Sequence, residues 1–280
     1  MAHLGENRYG KSRVRVMKVV HHATHHAMKE WSVRVLLHGD FATCFTEGDN
    51  SNILPTDTMK NTVYYLARES QAATLEEFAI ELVDYLLANN PQVSKASVEI
   101  EEKSWKPVLL DGVPHATTYQ LGGPELQTTE AIRKRGENLQ IASGIDGLVI
   151  LKTTNSAFTG YIKDKLTTLP ESTDRIFATR TTATWQYSEL PTDFEASRNS
   201  AITALVDTFA EHNSLSVQHT LYDMGAAALA AVPQIGRIHL TMPNLHCLLV
   251  DLGRFGQDNP NQIFVPTDEP SGYIEATIER

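Results

Sequence analysis

The chain has 280 residues, 41% hydrophobic and 21% charged, a composition that supports a buried core and excludes an intrinsically disordered chain. A net charge of -10 and a pI near 5.5 argue against a nucleic-acid surface, which needs clustered Lys and Arg, but leave room for a small anion held by one Arg in a closed pocket. The longest apolar run, Gly225 to Val232, stops at Pro233, so no membrane span is expected.

Alternating side chains from Arg13 to Val20 and from Trp31 to Leu37 predict two half-buried strands, joined through the His-rich segment His21 to His26. Phe41 to Phe45 reads as a continuation of the second strand past a turn or bulge at Gly39-Asp40. Pro55 biases Leu54 towards extended backbone, and Thr56, Asp57 or Thr58 can each cap a helix running to Ser70. Its apolar face holds Met59, Val63, Tyr64, Leu66 and Ala67. A second helix follows through Leu75, Phe78, Leu82 and Leu86, ended by Asn89-Asn90-Pro91. Ala96, Val98 and Ile100 alternate with polar residues as a strand, and His115 to Leu121 gives another after the Asp111-Gly112 turn.

Gly122-Gly123-Pro124 is the best interruption and divides the chain into 1–123 and 124–280. The second part repeats the order of the first. Strands are predicted over Leu126 to Arg135, Leu148 to Lys152 and Arg175 to Tyr187, then helices from about Asp193 to His212 and from Ser216 to Ala231. Ile235 to Met242 and Leu245 to Asp251 follow as paired strands. Helix pairs set between antiparallel hairpins, twice over, define an α+β class with helices on one sheet face.

Arg175 and Gln218 together suit a flat anionic heterocycle, since a guanidinium offers a fork of donors and a carboxamide both a donor and an acceptor. Ser216 as an N-cap turns the backbone N–H groups of Val217 and Gln218 into an anion site. Taken singly, Arg175 reads first as a surface ion pair, Gln218 as a solvated first-turn residue and Phe158 as a core ring. Cys44 and Cys247 lie in apolar stretches without metal-ligand spacing and read as buried free thiols. The histidines His21, His22, His25 and His26 read as a solvated loop between strands.

Six fragments in order, Tyr9-Gly10-Lys11, Pro55-Thr56-Asp57, Thr154-Asn155-Ser156-Ala157-Phe158, Asp174-Arg175, Ser216-Val217-Gln218 and Pro243-Asn244-Leu245-His246, give the chain its resemblance to the urate oxidases (uricases). Two positions depart from common family patterns: Arg180 stands where an acidic residue is more frequent, and Thr159 replaces a larger side chain.

The resemblance implies two tandem tunnelling-fold (T-fold) units whose sheets close into a β-barrel by association as a homotetramer, with active sites at subunit interfaces. It assigns Lys11, Thr56 and His246 to a proton relay. Phe158 would stack on the purine, Arg175, Val217 and Gln218 would bind it, Asn244 would hold dioxygen or water, and Asp57 would orient the site. A threonine hydroxyl needs a neutral lysine or histidine to take its proton, and burial lowers a lysine pKa towards that role. The implied reaction joins urate, dioxygen and water to give 5-hydroxyisourate and hydrogen peroxide without a cofactor, since an electron-rich purine anion can itself reduce oxygen.

Two alternatives come from other classes: a non-catalytic purine-binding T-fold protein, and a zinc-dependent T-fold enzyme acting on a pterin or guanine nucleotide, with the loop histidines as ligands. No signal-peptide core opens the chain and no Ser-Lys-Leu address closes it, so a cytoplasmic location is the expectation.

Overall fold

A computed structural model describes residues 2–267 and 269–280 and divides the chain into two compact units, Met1–Gly144 and Ile145–Arg280. In the first, β1 (Tyr9–His21) and β2 (His26–Gly39) form an antiparallel hairpin turning at the His-rich segment. The alternation puts Val14, Val16, Trp31, Val33, Val35 and Leu37 inside. β1 starts at Tyr9, ahead of the alternating run, because a register shift between Lys11 and Val14, with Arg13 at φ 56°, interrupts the period. Gly10 is required there: a Cβ would sit 1.8 Å from the Val35 carbonyl oxygen.

The expected continuation of β2 does not form; 42–46 is a short helix, α1 (Ala42–Thr46). The ladder stops at Gly39, and Phe41 turns inward to meet the Tyr9 ring edge-on at 4.8 Å. Helix α2 (Thr56–Glu69) buries Met59, Val63 and Ala67 but leaves Tyr64 exposed, so its apolar stripe is narrower than predicted. Its N-cap is Pro55, without a side-chain cap; Asp57 instead accepts from Lys60 and Asn61 inside the first turn. Helix α3 (Leu75–Asn89) opens with a Thr74–Glu77 capping box and stacks Phe78 on Trp31 at 4.7 Å.

The strands β3 (Val93–Leu110) and β4 (Val113–Lys134) pair as a long hairpin turning at Asp111-Gly112, both at positive φ. Gly122-Gly123-Pro124 lies inside β4, not at a boundary. The pairing there jumps from Lys103↔Leu126 to Trp105↔Leu121, so the Gly-Gly-Pro run fills a strand irregularity. The division falls after Gly144, within β5 (Gln140–Lys152), whose residues Ile141 to Ile145 are all buried and show no alternation to read.

In the second unit, β5 neighbours β6 (Phe177–Tyr187). Residues Thr182 to Tyr187 of β6 pair with β7 (Ile235–Thr241), while Ala178 and Thr179 pair with β8 (Asn244–Leu249). β7 and β8 were expected to pair with each other. They instead run against different stretches of β6, and β7 takes β10 (Glu275–Glu279) while β8 takes β9 (Phe264–Thr267). Helices α4 (Phe194–Glu211) and α5 (Val217–Ala231) carry Asp193 and Ser216 as N-caps. Leu205, Phe209, Leu221 and Met224 pack on Trp185, Ile238 and Leu240. Each unit is thus an antiparallel sheet with a helix pair on one face, the α+β plan read from the sequence. No described helix is long and apolar enough to cross a membrane.

Candidate active site

The first unit supplies Lys11, Thr56 and Asp57. Lys11 pairs with Val35 at the edge of the β1 irregularity, half-buried. Tyr9, two residues before it, donates its hydroxyl to the Leu54 carbonyl at 3.0 Å, which ties the start of β1 to the segment leading into α2. Burial pushes the Tyr9 phenol above its usual range, keeping it a donor. The Asp57 carboxyl is held below its usual range, first by the Lys60 hydrogen bond, with the Lys11 charge a smaller contribution. Lys11 and the Thr56-Asp57 turn therefore share one neighbourhood although Tyr9 and Leu54 are 45 positions apart in sequence.

The second unit knits its residues more tightly. Thr154 donates to Asp174 at 2.7 Å, and that bond leads the causes lowering the Asp174 pKa. The backbone N–H of Ala157 bonds the Ser214 carbonyl at 2.7 Å, and that of Ser214 returns to Asn155 at 3.0 Å; Asn155 accepts the φ of 59° this needs. Phe158 exchanges both backbone hydrogen bonds with Ser172. The Arg175 guanidinium then lies 5.3 Å from the Phe158 ring centroid. Half-burial lowers the Arg175 pKa, yet the guanidinium stays charged.

Two residues beyond Ser214, Ser216 caps α5 by accepting from the His219 N–H at 3.1 Å. Val217 is buried in the first turn and Gln218 is exposed, its amide free of the core. On β8, Asn244 and His246 share a strand face as the spacing requires, Nδ2 and Nδ1 lying 3.4 Å apart. Asn244 pairs with Thr179, just past Arg175 in the chain, and His246 pairs with Thr267.

The six second-unit residues are thus gathered by Asp174, Ser214 and β6, and the three of the first unit by Tyr9. A groove of about 590 Å³ runs along β1 and α2 past Arg15, Lys18, Tyr64 and Arg68, and none of the nine residues lines it.

Sequence reasoning missed Tyr161, whose ring stacks on Phe158 at 4.7 Å and 14°. It also gave no role to Asp174, the acceptor that ties Thr154 to the Arg175 segment. Only the position of Asp174 beside Arg175 hinted at it. Thr159 and Arg180, the two departures, are both exposed. Cys44 and Cys247 are free but half-buried, not fully inside; the Cys44 thiol donates to Asn50.

A family model described as Uricase matches residues 7–132 and 141–275. The chain is 40% identical to the uricase of Arthrobacter globiformis, across 99% of this chain and 90% of that one. It is 42% identical to Uricase-2 of Phaseolus vulgaris, across 98% and 95%. The crystal structure of the Arthrobacter globiformis uricase superposes with a TM-score of 0.94 over 100% of this chain and 96% of the other, at 40% identity.

Proposed function

This chain belongs to the uricase family, and on that premise we propose that it is a cofactor-independent urate oxidase, converting urate, dioxygen and water to 5-hydroxyisourate and hydrogen peroxide. The observation that carries the reading is the Arg175 guanidinium set beside the Phe158 ring, on a segment hydrogen-bonded to the loop that starts α5. A flat anion stacked on an aromatic face, with a guanidinium at one edge and helix N-terminal N–H groups with a carboxamide at another, fits that set.

In this reading Arg175, Gln218 and the Val217 backbone orient urate over Phe158. Lys11, Thr56 and His246 move the proton that leaves the purine, Asp57 fixes the Thr56 turn, and Asn244 holds dioxygen or the attacking water. The electrons come from the urate anion itself: two pass to dioxygen, which leaves as peroxide, and water supplies the hydroxyl at C5. The protein's part is to position the reactants and stabilise charge.

The site is completed between copies of the chain, in a homotetramer whose sheets close into a barrel, and the enzyme works in the cytoplasm. Two features support association. Among the described residues β1 has a single strand neighbour, β2, and β10 has one, β7, so each unit ends in an open strand edge that pairing with another copy would cover.

The test is loss of urate's ultraviolet absorbance with matched peroxide release, in chelator, for wild type and Thr56→Ala. Wild type should turn over with one peroxide per urate, and Thr56→Ala should keep urate binding while kcat falls by about 10²- to 10⁴-fold. Absence of peroxide, or full turnover by the variant, overturns the assignment.

A further inference from the structure

His212, His219 and Asp223 take no part in the reaction above, yet they converge. His212 is the C-cap of α4, and His219 and Asp223 stand four apart on one face of α5. The His212 Nε2 lies 2.8 Å from Asp223 Oδ2, the His219 Nε2 lies 3.7 Å from the same oxygen, and the three ligand atoms all fall within 4.8 Å of one another. Among the described residues this is the one group of three or more His, Cys, Asp or Glu so placed. We propose that His212, His219 and Asp223 form a binding site for a zinc-class divalent cation, clamping the end of α4 to the first turns of α5.

Two imidazole nitrogens and a carboxylate oxygen are the donors that zinc and its transition-metal neighbours take, whereas magnesium and calcium prefer oxygen alone. Bonds of about 2.0–2.1 Å at tetrahedral angles put ligand atoms roughly 3.3 Å apart. The observed 2.8 Å and 3.7 Å straddle that value, and the two imidazole nitrogens, within 4.8 Å of each other, would close towards it by up to about 1.5 Å as an ion is seated.

The surroundings also supply the orientation that metal-bound imidazoles use. The His212 Nδ1 lies 3.1 Å from Thr220 Oγ1, the Thr220 hydroxyl lies 2.8 Å from Ser214 Oγ, and Ser214 Oγ lies 3.1 Å from the Ser216 carbonyl. With the His212 proton on Nδ1, each hydroxyl accepts once and donates once along this chain, and the Nε2 lone pair faces Asp223. The opposite tautomer lets Nε2–H donate to Asp223 directly, a hydrogen bond needing no metal. These two arrangements are what an experiment separates.

His212 is largely enclosed, with 13% of its side chain exposed, while His219 at 44% and Asp223 at 36% open the site to solvent for entry and for a fourth ligand from water. The Lys152 ammonium, the nearest cation to His212 that the bonds identify, is held on its backbone carbonyl. One of its ligands, His219, directly follows Gln218, but the site shares no side chain with the urate assignment and does not depend on it.

The His21 to His26 turn is a competing imidazole source, its rings stacked in pairs at 4.2 Å and 4.6 Å. The test is therefore calorimetric zinc titration of the chelator-stripped full chain, with bound metal counted after dialysis and Tm measured with and without zinc. Four proteins are compared with wild type: His219→Gln, Asp223→Asn, Thr220→Val, and a chain with His21, His22, His25 and His26 all replaced by Gln. One zinc per chain is expected in wild type and in the turn variant, with a rise in Tm in both and no displacement by magnesium. His219→Gln and Asp223→Asn should weaken binding at least tenfold, and Thr220→Val by about ten- to a hundredfold through loss of the Nδ1 partner. His219→Gln decides alone if the less exposed variants do not fold. No zinc uptake by wild type, uptake lost only in the turn variant, or undiminished binding by His219→Gln would overturn the proposal.

Discussion

The two units hold their candidate residues in different ways. In the second, the segment from Thr154 to Phe158 is stitched to Asp174, Ser172 and Ser214, and Ser216 caps the helix that presents Val217 and Gln218. In the first, Lys11 stands just before a strand irregularity, and Thr56 opens a helix whose N-cap, Pro55, offers no side-chain bond. The second unit is built to hold a shape before anything binds. The first sets Lys11 near the Thr56-Asp57 turn through the Tyr9 hydrogen bond to Leu54. In the proposed reading, recognition falls to the second unit, and proton transfer to Lys11 and Thr56 of the first together with His246 of the second.

The comparison can be broken most directly at Arg175. If the second unit does the recognising, Arg175→Ala should lower kcat/KM for urate by roughly 10²- to 10³-fold, since two charge-assisted hydrogen bonds are worth about 3–4 kcal/mol. Steady-state kinetics checks it, and a fall below tenfold would move recognition elsewhere.

Gly10→Ala asks instead how the first unit's reactive groups are placed. A Cβ 1.8 Å from a backbone oxygen cannot be absorbed by a rotamer change, so about 3 kcal/mol of stability should be lost. Denaturant midpoints for the variant should fall accordingly, and a near-neutral result would mean that β1 reseats without Gly10.

A third expectation concerns acid. Glu30 accepts from Lys103 and Trp105 at 2.9 Å and from Arg15, and the Lys103 bond leads the causes that lower its pKa from 4.5 to about 2. A carboxylate depressed on folding stabilises fully above pH 4.5 and loses that stabilisation as pH falls towards 2. Screened through partly exposed partners, it is worth about 2 kcal/mol. Glu30→Gln should flatten the acid limb of a Tm-against-pH curve in that window while leaving its slope above pH 6 unchanged. The smallest effect belongs to Ser216→Ala, about 1 kcal/mol from the lost α5 cap, with a KM increase if the first turn loosens.

Much of this was legible in the chain. Alternation gave the hairpin of β1 and β2, and helical spacing gave α2 to α5, because those elements bury one face and expose the other. The errors fall where burial is two-sided or the backbone departs from its period: Ile141 to Ile145 buried throughout, Gly122 to Pro124 absorbed inside β4, and 42–46 coiled into a helix after Gly39. The pairing of β8 with β6 rather than β7 has no local signal, since it depends on where β9 and β10 return.

For the site, residue types and their order along 280 positions were enough to single out Lys11, Thr56, Phe158, Arg175, Gln218, Asn244 and His246 and the uricase likeness. What folding alone decided is which of them meet and how they are held. Tyr161 against Phe158, Asp174 under Thr154, Tyr9 on Leu54 and the convergence of His212, His219 and Asp223 are contacts between side chains that no periodicity relates. Local pattern records which face of an element turns inward; a hydrogen bond between distant segments exists only once packing has fixed both ends.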